Sequence, residues 1–216
     1  MDTKIATTPV ELWFRVRSTH LLPSDHGYAL YGALSRILPS VHRDNGIAIR
    51  PIHGYQVGGR RIRLTDRSSL VIRAAAEQIP KLIPLAGARI DLSGASIRIG
   101  VPQVRVLTPS SRLRSRLVVI KITGLSKPEA VTPERFAEAV QRQLEQIDIA
   151  VPPAAVEIGK RRTLRIHRRE IVGYEVIIDR LDDAQSLRLQ SHGLGGRHHM
   201  GCGIFVPFTL HKRAGS

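Results

Sequence analysis

Residues 10–38, VELWFRVRSTHLLPSDHGYALYGALSRIL, contain the two periodicities from which the fold follows. Val10, Leu12, Phe14 and Val16 alternate with Glu11, Trp13, Arg15 and Arg17, a period of two that predicts a half-buried strand with a partly basic outer face. After Pro23, Ser24-Asp25-His26 offers a helix start, and Leu30, Leu34, Ile37 and Leu38 recur at helical spacing until Pro39. Further along, Gly46–Tyr55, Gly59–Leu64 and Leu70–Ala74 read as strands, Ala75–Leu85 as a short helix bounded by prolines, and Arg89–Leu92 with Ser96–Ile99 as a hairpin. Strand, helix, strand, strand, helix, strand is the split βαβ order of a ferredoxin-like unit.

The second half repeats that order. Arg116–Ile122 predicts a strand, and Thr132 with Pro133 opens a helix that carries Phe136, Val140, Leu144 and Ile147 on one face. Val156–Ile166 and Ile171–Ile178 form a hairpin tipped by His167-Arg168-Arg169. Asp182 or Asp183 starts a helix that ends at Gly193 in a left-handed cap, and Gly203–Leu210 is the last strand. The expected architecture is α+β, two tandem ferredoxin-like (βαββαβ, RRM-like) domains over residues 1–105 and 106–216.

Composition narrows function. The chain has 216 residues, with 33 Lys and Arg against 18 Asp and Glu for a net charge of +15, which points to a polyanionic partner. Hydrophobic residues make up 42 %, too many for a disordered basic tail. No apolar run approaches the ~18 residues of a membrane span and residues 1–9 lack a signal core, so the expectation is a cytoplasmic protein with no membrane partner. Cys202 is the only cysteine, which rules out a disulfide within the chain and a thiolate-rich zinc cage. Aromatic residues are only 4 % and no alternating aromatic motif marks the central strands, so RNA recognition by shape and backbone is expected over base stacking.

The cations cluster at Arg60, Arg61, Arg63 and Arg67, at Arg112, Arg114 and Arg116, at Lys160, Arg161, Arg162, Arg165, Arg168 and Arg169, and at Arg197. Arg161, Thr163, Arg165 and His167 share one strand face opposite Leu164 and Ile166, leaving one side to pack and one to meet phosphate. Residues 193–203, GLGGRHHMGCG, hold five glycines. Gly195 and Gly196, with Arg197, His198 and His199, fit an anion cradle of backbone N–H groups, and also a plain turn from helix to strand. His198, His199 and Cys202 make a poor metal set, because adjacent histidines diverge.

His26 fits two readings. At a helix N-terminus the imidazole stays neutral and usable as a base, yet it lies within about 40° of Leu30 on the helical wheel and equally fits a buried capping residue. Tyr28 and Tyr31 point further from the apolar face and suit orienting a phosphate or a 2′-hydroxyl. Lys121, sharing a strand face with Leu117 and Val119, suits stabilising charge on a phosphorane, or snorkelling.

Four features together resemble the CRISPR-associated endoribonucleases that cut repeat RNA into guide units, the sixth Cas family of type I systems, in its I-U (I-G) variant. They are the tandem order, the helix start DHGYALYGAL at 25–34, Ser115-Arg116-Leu117-Val118, and GLGGRHHMGCGIFVP at 193–207. The resemblance spans nearly the whole chain. It implies a metal-independent ribonuclease with no cofactor, in which the RNA's own 2′-hydroxyl attacks the adjacent phosphate. Products would be 2′,3′-cyclic phosphate and 5′-hydroxyl ends, with the product retained. It further implies CRISPR repeat RNA and other type I Cas effector subunits as partners. The proton would be moved by a histidine of the first helix region: His26 first, His20 as an alternative, with Tyr28 and Tyr31 orienting and Lys121 stabilising charge. The competing reading is a noncatalytic subunit that holds a guide-RNA hairpin, and a third is a general RNA-binding module.

Overall fold

The computed structural model describes residues 9–39, 41, 46–122, 131–167 and 169–209. They divide into two compact units. The first comprises the described residues up to 107 with those of the segments Leu164–Glu170 and Arg197–Gly201; the second comprises the described residues of 108–163, 171–196 and 202–209.

In the first unit, β1 (Pro9–Arg17) is the central strand. Val10, Leu12, Phe14 and Val16 are at most 6 % exposed, as the alternation requires. Helix α1 (Gly27–Ile37) follows β2 (Leu22–Pro23) and buries Leu30, Tyr31, Ala33 and Leu34. Next come β3 (Ala48–Arg50), β4 (Tyr55–Gly58), β5 (Arg61–Arg63) and β6 (Ser69–Ala75). A short helix α2 (Ile79–Leu82) leads into β7 (Arg89–Leu92) and β8 (Ala95–Val106). The main sheet runs β3-β6-β1-β8-β7 with every pair antiparallel, and β2, β5 and β4 form a small separate sheet. Taking β3, β6 and β8 as the second, third and fourth strands, this is the ferredoxin-like order.

Several expected elements differ in extent. The strand expected over Gly46–Tyr55 is broken after Arg50 by Pro51, which lacks an N–H for the ladder. The helix expected over Ala75–Leu85 is a single α turn between two 3₁₀ turns, because Pro80 and Pro84 remove the donors a longer helix needs. The hairpin strand expected to end at Ile99 continues to Val106 as β8.

The second unit repeats the order with β9 (Leu113–Val118), α3 (Pro133–Gln146), β10 (Val156–Ile166), β11 (Arg169–Ile178), α4 (Asp183–His192) and β12 (Val206–Pro207), its sheet running β10-β11-β9-β12. The Thr132 side chain caps α3 by accepting from the Arg135 N–H, with Pro133 in the first turn. Asp182 and Gln185 form a reciprocal capping box on α4. Gly193 ends α4 with a positive φ of 66° but ψ of −172°, so the cap has the expected sign of φ without the full left-handed conformation. Leu113, Val118, Phe136, Val140, Leu144, Val176, Leu189, Leu194 and Phe205 build its core. The expected strand Arg116–Ile122 is shifted to Leu113–Val118, and the last strand is only Val206–Pro207, with Leu210 outside the described residues.

Candidate functional site

Three pieces of the first unit converge: the start of α1, the hairpin tip Leu164–Glu170, and the 3₁₀ turn His198–Met200. Gly27 makes this possible, since a Cβ there would collide with the Met200 carbonyl oxygen. Tyr31 is 8 % exposed, with its ring 4.3 Å from that of His199. The sequence placed this phenol away from the apolar face; the structure corrects that, because the 3₁₀ turn covers it.

Tyr28, one helical turn earlier, stays accessible. Its hydroxyl lies 2.7 Å from Nε2 of His167, and the two rings meet edge to face at 4.9 Å. His167 takes a positive φ of 52° at the tip, and the adjoining strand is tied down where the Arg165 N–H donates to Asp25 Oδ2 at 3.0 Å. Both aromatic residues line a basin of about 440 Å³ with Arg60, Arg61 and Arg165. The basin therefore pairs a proton donor and acceptor with three guanidinium groups, the combination needed to move a proton beside a phosphate. His167 entered the sequence reading only as a member of the basic hairpin face; the signal for its role is contact with a residue 139 positions away.

His26 sits elsewhere. It is 2 % exposed; Nε2 accepts from the Ile52 N–H at 2.9 Å, and Nδ1 lies 2.8 Å from the Pro23 carbonyl, to which it donates. Both ring nitrogens are engaged, which fixes the Nδ1–H tautomer and gives the ring a buried structural role, holding the approach to α1 against residue 52; the side chain makes no capping hydrogen bond to the helix itself. His26→Ala is therefore expected to lower the thermal unfolding temperature clearly, because it strands the buried Ile52 N–H at about 1–3 kcal/mol and also frees the partly buried Pro23 carbonyl. An unchanged melting curve would exclude this role.

The remaining expectations divide. Lys121 is exposed in the segment beyond β9, not on a strand. Arg112 pairs with Glu157 and Asp179 at 3.2 and 3.3 Å, and Arg114 and Arg162 both engage the buried Glu175, so these three arginines brace the second unit's sheet. Arg116 is exposed, and Arg168 lies outside the described residues. Lys160, Arg161, Arg165, Arg169 and Arg197 are exposed, and their side chains form no ion pair among the described residues.

The glycine-rich loop departs from the anion cradle. Gly195 N–H donates to Gln143 Oε1 at 2.6 Å, Gly196 N–H to the Val119 carbonyl at 3.0 Å, and Gly203 N–H to the Leu117 carbonyl at 2.7 Å. With these donors committed inside the protein, Gly195 and Gly196 serve close packing: a Cβ on Gly195 would strike the Val119 carbonyl. Cys202 is fully buried, and among the described residues no group of three or more His, Cys, Asp or Glu side chains converges.

Comparison with known proteins bears on the family and the fold. A family model described as Cas6 Crispr matches residues 10–210. The chain is 33 % identical over 198 residues to the CRISPR-associated endonuclease Cas6 of Myxococcus xanthus (strain DK1622), covering 92 % of this chain and 81 % of that protein. Among solved structures, a CRISPR associated protein Cas6 superposes with a TM-score of 0.63 at 13 % identity, covering 94 % of this chain and 99 % of the other. The CRISPR endoribonuclease Cse3 bound to a 19 nt RNA superposes at 0.52 and 15 % identity, covering 93 % and 98 %. At those identities the structures establish the shared fold, while the family match and the curated relative establish kinship. The chain belongs to the Cas6 family of CRISPR-associated endonucleases.

Proposed function

We propose that the protein cleaves CRISPR repeat RNA without a metal ion, by attack of the RNA's own 2′-hydroxyl, and keeps the product bound. The observation that carries this reading is the Tyr28–His167 hydrogen bond of 2.7 Å inside a basin lined by Arg60, Arg61 and Arg165. In the reaction the 2′-oxygen loses its proton and bonds to the adjacent phosphorus. The bond from phosphorus to the 5′-oxygen breaks, and that oxygen takes up a proton, leaving a 2′,3′-cyclic phosphate and a 5′-hydroxyl. His167 is the proton carrier, Tyr28 orients it and reaches the phosphate, and the arginines stabilise the charge gathering on the phosphorane.

His26 and Tyr31 act in this reading as positioning residues that fix the start of α1. Lys121 and the exposed cations Lys160, Arg161, Arg169 and Arg197 are assigned to the RNA backbone. The N-terminal half (1–105) supplies the helix that carries Tyr28, and the C-terminal half (106–216) supplies the hairpin that carries His167.

The test is single-turnover incubation with the source locus's repeat RNA in EDTA, beside the same RNA with a 2′-deoxy sugar at the cut. The expected result is cleavage in EDTA that ends in a cyclic phosphate and is blocked by the deoxy sugar. Tight, salt-sensitive binding without cleavage would replace this reading with a guide-holding subunit.

A further inference from the structure

A second basic site lies on the first unit's main sheet, and it shares no lining residue with the Tyr28–His167 basin. Arg17 on β1 stands directly opposite Arg98 on β8, and Arg98 stands directly opposite Arg89 on β7. Three arginines thus form one row across three adjacent antiparallel strands, a span of about 10 Å. All three are exposed, while their neighbours Val16, Ile90, Ile97 and Ile99 are buried, so the row projects from the face opposite the core.

The row depends on an irregularity. From Val10↔Val106 to Phe14↔Pro102 the register of β1 on β8 is constant, and continued unchanged it would set Arg17 against the buried Ile99. A one-residue shift between Phe14 and Val16 sets it against Arg98 instead. Like charges directly opposite on neighbouring strands destabilise a sheet. None of the three arginines has an ion-pair or hydrogen-bond partner among the described residues. The next acid along β7, Asp91, is turned to the Gly94 N–H at 3.1 Å. Among the described residues Asp66 is the single carboxylate lining the cavity, set against three guanidinium groups.

The row lines a cavity of about 680 Å³ together with hydroxyl groups of Ser18, Thr19 and Ser96. Guanidinium forks and hydroxyl donors around an open groove are the chemistry that receives phosphodiester oxygens. Among the described residues the lining contains no Phe, Tyr or Trp and a single aromatic ring, His20, so the three guanidinium groups and the hydroxyls favour contact to the backbone over a multi-aromatic stacking platform.

We infer that the Arg17–Arg98–Arg89 row is a phosphate-binding rail for single-stranded RNA flanking the segment that is cut. This rests on the reading of the protein as one that acts on RNA, and extends it to a stretch of strand that the Tyr28–His167 basin does not hold.

The experiment measures the affinity of repeat RNA, made uncleavable by a 2′-deoxy sugar at the cut, with and without about ten uridines appended at either end. In the unaltered protein the extension is expected to tighten binding roughly tenfold and to steepen the salt dependence by about two log units per log unit, near 0.7 for each of three phosphates. In R17Q/R98Q, and more weakly in R89Q on the edge strand, that gain disappears. An extension that adds nothing, or a gain that survives both variants, overturns the rail.

Melting curves without RNA guard against a trivial loss. Relief of like-charge opposition is expected to leave the melting temperature of R98Q at or above that of the unaltered protein, whereas a marked fall would make the row structural and overturn the proposal. Cleavage of the all-ribose RNA in EDTA is read separately. Its failure would remove the endonucleolytic chemistry and leave the rail standing.

Discussion

His167→Ala is expected to slow single-turnover cleavage of repeat RNA by about 10²- to 10⁴-fold, the usual contribution of a positioned proton carrier, while RNA affinity changes little. The imidazole is exposed at the hairpin tip, so its removal leaves no buried group unpaired and the fold is kept. Tyr28→Phe deletes only the hydroxyl of the 2.7 Å hydrogen bond and should give a smaller loss in the same direction. The two effects should combine to less than their product, since each removes part of one device. Equal loss of rate and affinity in His167→Ala would reduce the tip to a binding element and overturn the assignment.

That prediction falls on a residue the sequence mentions only as part of a basic strand face, and the reason is physical. Local signals were legible where local chemistry decides: the alternation of Val10 to Val16, the Thr132-Pro133 start of α3, and the Asp182–Gln185 box of α4 all specify structure within a few residues. The glycine-rich loop was recognisable as a motif, but its mechanism was not. Whether the Gly195 and Gly196 N–H groups face an anion or the protein depends on Gln143 and Val119, which only the fold brings close. The charges behave likewise. Arg112, Arg114 and Arg162 look like free cations in sequence until Glu157, Asp179 and Glu175 arrive from other strands. Conversely, Arg17, Arg89 and Arg98 look scattered until a one-residue shift in register aligns them. His26 is the intermediate case: the sequence offered both of its roles, and the hydrogen bonds to Pro23 and Ile52 select the structural one.

Glu11→Ala is expected to destabilise the protein by about 3–5 kcal/mol, because it removes the carboxylate that balances the buried Arg73 guanidinium. Glu11 is 7 % exposed on the non-core face of β1 and Arg73, its partner in register on β6, is 3 % exposed. Arg73 Nη2 and Nε donate to Glu11 Oε1 at 2.7 and 3.2 Å, Arg50 reaches the same carboxylate at 3.3 Å, and the Trp13 indole N–H donates to Oε2 at 3.0 Å. Burial pushes the Glu11 carboxyl up, but the Arg73 and Arg50 guanidinium groups and these hydrogen bonds outweigh it, so the group lies below the ordinary carboxylate range. A carboxyl whose folded value is depressed contributes stability that is fully present above its unfolded value, near 4.3, and is lost as pH falls through the folded one. Urea unfolding between about pH 3 and pH 7 should therefore show acid destabilisation in the unaltered protein that is smaller in Glu11→Gln, which keeps the shape and lacks the titration. A variant as stable as the parent at pH 7, or with the same acid slope, would show that the cluster contributes no net stabilisation.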